Sequence, residues 1–196
     1  VLRIIGRLAY PIFAYMIAEG CRYTSNKVRY LCTVLAIAGV CSAATYFSER
    51  SLYQSIFTTF SCAMLLIFAL TAEKETAERA RKIFCGICVA VLVFLYFTVF
   101  QLRMVPGLET DYGFLGIITP VLVWLGRSKA EKLAGFTIGL CLLSVKLGTV
   151  QFFSLVAVIL LYFYDGKRGN RSLKWAFYAY YPLHIAVLYG ISQIVG

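Results

Sequence analysis

Long apolar blocks separated by short charged gaps make up almost the whole chain. The blocks run over Arg7–Cys21, Val28–Phe47, Tyr53–Leu70, Ile83–Gln101, Gly113–Leu125, Leu133–Val145, Thr149–Tyr164 and Trp175–Ile194. Backbone in hydrocarbon must satisfy its own hydrogen bonds, so such blocks are typical of membrane-spanning helices joined by loops. Several blocks are shorter than the roughly 20 residues of a comfortable span, and we expect those helices to be tilted or shielded by neighbours. The pattern predicts an all-α, polytopic transmembrane helix bundle with about eight membrane helices.

Composition agrees with a membrane environment. The 196 residues are 61% hydrophobic and only 14% charged, whereas a soluble domain carries about 25% charged residues. No linker, low-complexity stretch or internal repeat interrupts the pattern, so residues 1–196 are expected to form a single domain. The net charge of +10 lies in the gaps between apolar blocks, where it is explained by membrane topology and not by nucleic acid binding.

The basic residues are distributed unevenly between alternate loops. Fourteen of the 19 lysines and arginines fall in the loops at 22–29, 74–82, 127–132 and 167–174. The positive-inside rule places these four loops in the cytoplasm. Both ends of the chain would lie outside, so we expect the natural protein to carry a further helix before Val1.

The seven cysteines lie within or at the edges of the apolar blocks. Their number is odd, and this placement favours reduced thiols that pack as small hydrophobic side chains. Cys85 and Cys88 have the spacing of a redox motif, but they open a predicted membrane helix and not a βαβ unit. The chain has a single histidine, so a zinc site of the common kind is not expected and no metal is predicted.

An ionisable side chain inside a span costs about 2.5–3.5 kcal/mol at mid-helix, which makes each one a candidate for function. His184, the only histidine, lies in the last block, and Tyr180 and Tyr181 can share its helix face. Pro182 removes one helical hydrogen bond and leaves a polar notch beside the imidazole. Imidazole transfers protons near neutral pH, but His184 could equally be a hydrogen-bonding contact between helices.

Two arginines and a glutamate occupy the first block and its approach. Arg3 and Arg7 are four residues apart, so their guanidinium groups could clamp a carboxylate or phosphate or could extend to the interface. Pro11 frees the carbonyl of Arg7. Glu19 lies three residues before Arg22, where a local ion pair and a role in a site are equally consistent with the sequence.

Two loops carry further polar candidates. Asp111 and Tyr112 precede the fifth block at its outer end, where a carboxylate either caps the helix or meets a ligand. Pro120, inside that block, frees the carbonyl of Gly116 and predicts a kink. Lys167 and Arg168 follow Gly166 in the last cytoplasmic loop, where they either bind phosphate or only mark the topology.

Several stretches together resemble one family. They are Arg3-Ile4-Ile5-Gly6-Arg7-Leu8-Ala9-Tyr10-Pro11-Ile12-Phe13-Ala14, Ala18-Glu19-Gly20, Asp111-Tyr112-Gly113-Phe114-Leu115-Gly116, Asp165-Gly166-Lys167-Arg168-Gly169 and Tyr181-Pro182-Leu183-His184. In this order the set resembles the TraX family of conjugative-transfer membrane proteins, named for a pilin N-acetyltransferase and distantly related to the acyltransferase-3 group. Family members usually begin with a further helix that carries an Asp-His pair, which this chain does not contain.

The resemblance implies a membrane-bound acyltransferase of the N-acetyltransferase type. Acetyl-CoA would donate the acetyl group on the cytoplasmic side, and the acceptor would be a pilin or another peptide amine at the membrane or its outer face. We expect the site to be built from the following residues: His184, Arg7 and Asp111 as catalytic groups; Arg3, Glu19, Tyr112 and Tyr181 at the substrate; and Lys167, Arg168 and Arg171 at the CoA phosphates.

Two other function classes fit the same sequence. Kinked helices and charges within the membrane also mark transport pathways, so a small transporter or exporter component is one alternative. The other is a non-enzymatic partner in a conjugation or secretion assembly. Transfer from acetyl-CoA, flux without CoA, or neither activity would distinguish the three.

Overall fold

In a computed structural model of the protein, the described residues are 2–50, 52, 54–75, 79–96, 99, 110 and 112–166. They form seven α-helices and one 3₁₀ helix, with no strand beyond a single bridge between Gln54 and Thr110. The helices are α1 (Leu2–Tyr23), α2 (Lys27–Glu49), α3 (Ile56–Glu75), α4 (Arg79–Tyr96), α5 (Gly113–Leu125), α6 (Lys129–Leu147), the 3₁₀ helix (Thr149–Leu155) and α7 (Val156–Tyr162). The predicted all-α class is confirmed. Seven predicted blocks coincide with helices, whereas Trp175–Ile194 lies outside the described residues.

Two helices contain a proline, and one of these prolines explains a contact between α1 and α5. Pro11 and Pro120 lie within α1 and α5, and both helices continue through them. Pro120 has no N–H to donate to the carbonyl of Gly116. That carbonyl instead accepts a hydrogen bond from the buried Tyr10 hydroxyl at 3.0 Å. The carbonyl that the sequence predicted to be freed therefore joins α1 to α5.

Helix α5 is at the centre of the described bundle. It packs against α6, α3 and α1, while α1 also packs against the 3₁₀ helix and α3. On the other side, α3 packs between α2 and α4. The core between these helices includes the fully buried side chains of Phe60, Met64, Phe136 and Leu140, and Cys21 and Cys41 are buried within it.

The α5–α6 contact depends on two glycines spaced four residues apart on α6. A Cβ atom on Gly139 would lie 2.8 Å from Oγ1 and 3.1 Å from Cα of Thr119, and a Cβ atom on Gly135 would lie 2.7 Å from the carbonyl oxygen of Leu122. Small residues at this spacing let helix backbones approach closely, which is a common packing mode of membrane helices. The sequence analysis did not identify this pair.

The helices begin and end at two opposite ends of the bundle. We call one the basic end, because the loop after α1 and the α5–α6 loop meet there: the Arg22 guanidinium donates to the carbonyls of Trp124 and Gly126 at 2.5 and 2.6 Å. At the other end, the bridge between Gln54 and Thr110 joins the α2–α3 loop to the segment before α5. Two of the loops that the charge pattern assigned to one side, at 22–29 and 127–132, therefore meet at one end of the fold.

Apolar side chains cover much of the outside of the bundle. Large exposed hydrophobic residues lie on α2, α4, α6 and α7, among them Phe94 (68%), Val145 (76%) and Ile159 (60%). One helix segment in the described ranges, Lys27–Phe47, is long and apolar enough to cross a membrane, and four other apolar segments are shorter. Apolar patches of this extent mark contact with lipid or protein, which agrees with the membrane protein that the sequence predicts.

The 3₁₀ helix presents a buried polar face. Residues three apart are aligned in this tighter helix, and Gln151 and Ser154 have that spacing. Gln151 is 1% exposed and Ser154 is fully buried, and neither side chain has a hydrogen-bond partner among the described residues. Buried polar groups are usually hydrogen-bonded, so this face is an exception within an otherwise apolar core.

A capping arrangement at the start of α6 makes its stability dependent on pH. The Ser128 hydroxyl accepts the N–H of Glu131 at 3.2 Å, and the Glu131 carboxylate accepts the N–H of Arg127 at 2.9 Å. The Arg127 N–H first, and then the Ser128 hydroxyl, lower the pKa of the exposed Glu131 below its usual range.

Because the folded-state pKa is lowered, the stabilisation by Glu131 is complete above the unfolded-state pKa of about 4.3 and is lost as the pH falls through the folded-state value. Comparing the melting temperatures of wild type and Glu131→Gln between neutral and acidic pH tests this. We expect the wild type to be slightly more stable at neutral pH and the difference to disappear in acid. A difference that is constant across the range would contradict the assignment.

Candidate functional site

An ion pair between α1 and α6 lies at the basic end. The Lys132 ammonium is 2.8 Å from Oε1 of Glu19, and both side chains are 11% exposed. Within the described part of the chain, that oxygen nevertheless has no partner with hydrogen-bond geometry. The two observations agree if the attraction is Coulombic and the groups are not aligned for a hydrogen bond. Lone pairs of Glu19 and N–H groups of Lys132 are thus left for another partner.

An open pocket of about 160 Å³ surrounds this pair. It lies between the last turns of α1, the first turn of α6 and the chain that follows α7. The lining residues are Tyr15, Glu19, Tyr23, Lys129, Lys132, Tyr164, Asp165 and Gly166. Both ionic and aromatic groups therefore line one concave site at the basic end.

Aromatic rings form the inner wall of the pocket. Tyr15 packs edge-on against Phe136 of α6, with ring centroids 5.6 Å apart, and edge-on against Tyr164, at 6.4 Å. Close to the mouth, the exposed Lys129 ammonium lies 5.5 Å from the centre of the Tyr162 ring, within cation–π distance. The rings form the base of the pocket, and its ionic lining consists of two lysines, Lys129 and Lys132, and two carboxylates, Glu19 and Asp165.

The structure corrects one alternative from the sequence. The sequence was equally consistent with a local ion pair between Glu19 and Arg22 and with a role of Glu19 in a site. Among the described residues, Glu19 is paired with Lys132. Arg22 instead donates to the last carbonyls of α5 at Trp124 and Gly126, which have no helical partner at a helix C-terminus. Arg22 is therefore a structural cap, and Glu19 belongs to the pocket.

The opposite end of the bundle is built around tyrosines. The Tyr10 ring stacks on Tyr112 with centroids 4.0 Å apart and on Phe60 at 5.8 Å. Tyr112 has a φ of 61° and precedes α5 as its N-terminal cap residue, a conformation that is uncommon for a bulky residue. The cap position that the sequence allowed for Asp111 is thus occupied by Tyr112, and Asp111 itself lies outside the described residues.

The structure describes only part of the predicted site. Glu19 and Tyr112 are described at opposite ends of the bundle, so these two predicted substrate residues do not form one cluster. Arg3 and Arg7 lie in the N-terminal half of α1, but their side chains are not described. Five further predicted residues lie beyond the described ranges: Lys167, Arg168, Arg171, Tyr181 and His184. The predicted convergence of Arg7, Asp111 and His184 stays a prediction.

Sequence reasoning did not assign the α6 lysines to a site. Lys129 and Lys132 were counted only as markers of topology, because they follow the α5 block in a short basic loop. Their spacing of three places them on neighbouring positions of one helix face, which is the signal that could have identified them. No sequence pattern indicated that this face would meet Glu19 across the bundle.

Comparison with known proteins agrees with the resemblance found in the sequence. Residues 1–192 match the family described as "TraX protein". The chain is also 27% identical over 214 residues to "Probable fimbrial assembly protein FimC, serogroup H1" of Dichelobacter nodosus, covering 95% of this chain and 81% of that protein. No solved structure matches the chain. Because the family match covers nearly every residue, the chain belongs to the TraX family.

Proposed function

We propose that the protein is a multi-pass acyltransferase of the bacterial inner membrane. It transfers an acetyl group from cytoplasmic acetyl-CoA to an amine of a pilin or similar peptide at the membrane or its outer face. Membership of the TraX family supports this proposal, and so does the similarity to a probable fimbrial assembly protein, which points to a pilus-related role. The observation that carries the proposal furthest is the polar pocket at the basic end, the end at which a cytoplasmic donor would arrive.

The proposed reaction is an ordinary acyl transfer. The acceptor nitrogen attacks the thioester carbonyl carbon, a C–N bond forms, the C–S bond breaks, and the CoA thiolate leaves. The nitrogen loses a proton, which His184 would accept. Arg7 or Tyr181 would stabilise the negative charge that develops on the carbonyl oxygen. Asp111 and Arg7 would meet the acceptor at the outer mouth.

The donor would be held by basic groups of the last cytoplasmic loop. Gly166 lines the pocket, and Lys167 and Arg168 follow it directly in the chain. Together with Arg171 they are the proposed contacts to the CoA phosphates, for which arginine provides a two-pronged donor. The acetyl end would extend from there into the bundle, towards the helices with proline kinks.

Loss of His184 is the direct test of this mechanism. We expect His184→Ala to lower acetyl transfer from labelled acetyl-CoA in proteoliposomes by a factor of about 10²–10⁴, the usual contribution of a positioned acid or base. His184→Gln serves as the matched variant, because it keeps a hydrogen-bonding side chain and removes proton transfer. Full activity in both variants, with unchanged melting temperatures, would remove His184 from the reaction.

A non-enzymatic role in pilus assembly is the second candidate. The name of the relative favours it, since that protein is described as an assembly protein and not as a transferase. In this case deletion would impair pilus formation, and the purified protein would transfer no acetyl group to any pilin peptide. A deletion strain complemented equally well by wild type and by His184→Ala would favour this role.

A further inference from the structure

We propose that Lys129 and Lys132 of α6 form the phosphate subsite for the acyl donor, with Glu19 as the residue that positions Lys132. This inference rests on the proposed acyltransferase function and adds two residues that the sequence analysis did not assign to the donor. The ligand is the phosphate or diphosphate part of a soluble coenzyme thioester.

The geometry of the ion pair supports the subsite. Two charges that are nearly nine-tenths buried are costly unless they are well paired, and Glu19 and Lys132 are only 2.8 Å apart without hydrogen-bond alignment. An ammonium carries three N–H donors. Lys132 can therefore keep its contact with Glu19 and still donate to a phosphate oxygen in the pocket.

The position of the ion pair between α1 and α6 also supports the subsite. Helix α1 packs chiefly against α3, α5, the 3₁₀ helix and α7, so the ion pair crosses a space between α1 and α6 that the backbones do not fill. The pocket occupies this space. A pair that served only to hold two helices together would be expected at a close contact and not at the wall of an open pocket.

The charge and size of the pocket support the subsite as well. Lys129 adds a second cation one turn away from Lys132 on the same helix, and among the described residues it contacts the Tyr162 ring and no carboxylate. Glu19 pairs with Lys132, and Asp165 is the other carboxylate of the lining. The pocket has a volume of about 160 Å³. That suits a phosphate or diphosphate group, whereas sites for whole drug-sized ligands have about 300–1,000 Å³. The rest of the donor would lie outside the pocket.

Binding of coenzyme A to the full chain in phosphate-free maltoside detergent tests the subsite. We expect Lys129→Ala to weaken binding about tenfold, as for loss of one charge-assisted hydrogen bond, and Lys129→Arg to bind like the wild type. The exposed Lys129 can be replaced without disturbing the core. Lys146→Ala is the matched control, because it removes the same charge from the last turn of the same helix, and we expect it to bind normally.

Two ligand comparisons identify the group that is recognised. Pantetheine, which lacks the phosphates, should bind weakly and equally to the wild type and Lys129→Ala. The phosphate of an anionic lipid offers similar chemistry at a membrane surface, so short-chain phosphatidylglycerol is the competing ligand. Lysine-dependent binding of that lipid which coenzyme A does not displace would overturn the proposal, and so would unchanged coenzyme A binding by Lys129→Ala.

Failure of the subsite and failure of the proposed function give different results. If the wild type transfers acetyl groups and Lys129→Ala has the same KM for acetyl-CoA, the subsite is wrong and the enzyme assignment stands. If coenzyme A binds in a lysine-dependent manner and no acceptor is acetylated, the subsite stands and the acyltransferase assignment is wrong.

Discussion

Gly139→Leu is expected to separate α5 from α6 and to destabilise the whole bundle. Even a single Cβ atom at this position would approach Thr119 Oγ1 to 2.8 Å and Thr119 Cα to 3.1 Å, and the Cα cannot rotate away. Overpacking of a close contact typically costs about 1–3 kcal/mol, and leucine adds three carbon atoms beyond the Cβ. Because α5 also packs against α1 and α3, the displacement should extend to the core.

Thermal unfolding in detergent, followed with a thiol-reactive fluorophore, measures this effect, since Cys21 and Cys41 are buried in the folded protein. Gly39→Leu is the matched control. It makes the same change in α2, where no atom lies within 4 Å of the added Cβ, and it should be neutral or slightly stabilising because glycine is a poor helix former. Equal melting temperatures for the two variants would contradict the close approach of α5 and α6.

Glu19→Ala is also expected to destabilise the bundle strongly. It leaves the Lys132 ammonium, in a side chain 11% exposed, without its carboxylate. Removing one member of a buried ion pair costs about 3–5 kcal/mol, and we expect the lower end because the pocket is open to solvent. Lys132→Met should destabilise the protein by a similar amount, because it leaves the Glu19 carboxylate without its ammonium partner.

A double-mutant cycle distinguishes a true pair from two independent losses. The variant with both Glu19→Met and Lys132→Met has no unpaired charge, so it should be more stable than the sum of the single losses implies. Denaturation of the wild type, Glu19→Met, Lys132→Met and the double variant in one detergent gives the coupling energy. Additive losses would show that the two side chains do not depend on each other.

Much of the helical architecture could be predicted from the sequence, because it follows from local chemistry. The apolar blocks gave seven helices in the right places, and Pro120 indicated in advance that the Gly116 carbonyl would need a partner. The partner itself, Tyr10, lies 106 positions away. A contact over such a separation depends on how the helices pack, which no local pattern specifies.

The site was harder to predict for the same reason. Glu19 was recognised as an ionisable residue in the first apolar block, and a local ion pair with Arg22 was as consistent with the sequence as a role in a site. In the fold, Arg22 is used at the free carbonyls of α5, and Glu19 meets Lys132 across the bundle. Both lysines of the pocket looked like ordinary topology signals. The sequence of a basic loop does not show whether its side chains face water or a cavity.

The 3₁₀ helix increases the length of the segment that it forms together with α7. Its seven residues rise about 2.0 Å each, or ~14 Å in total, and the seven residues of α7 add ~10 Å at about 1.5 Å each. The same residues in a continuous α-helix would extend only ~21 Å, against a hydrocarbon thickness of about 30 Å. The tighter winding thus lengthens a short segment by ~3 Å, which would lessen the local thinning of the lipid around a protein that spans the membrane as proposed.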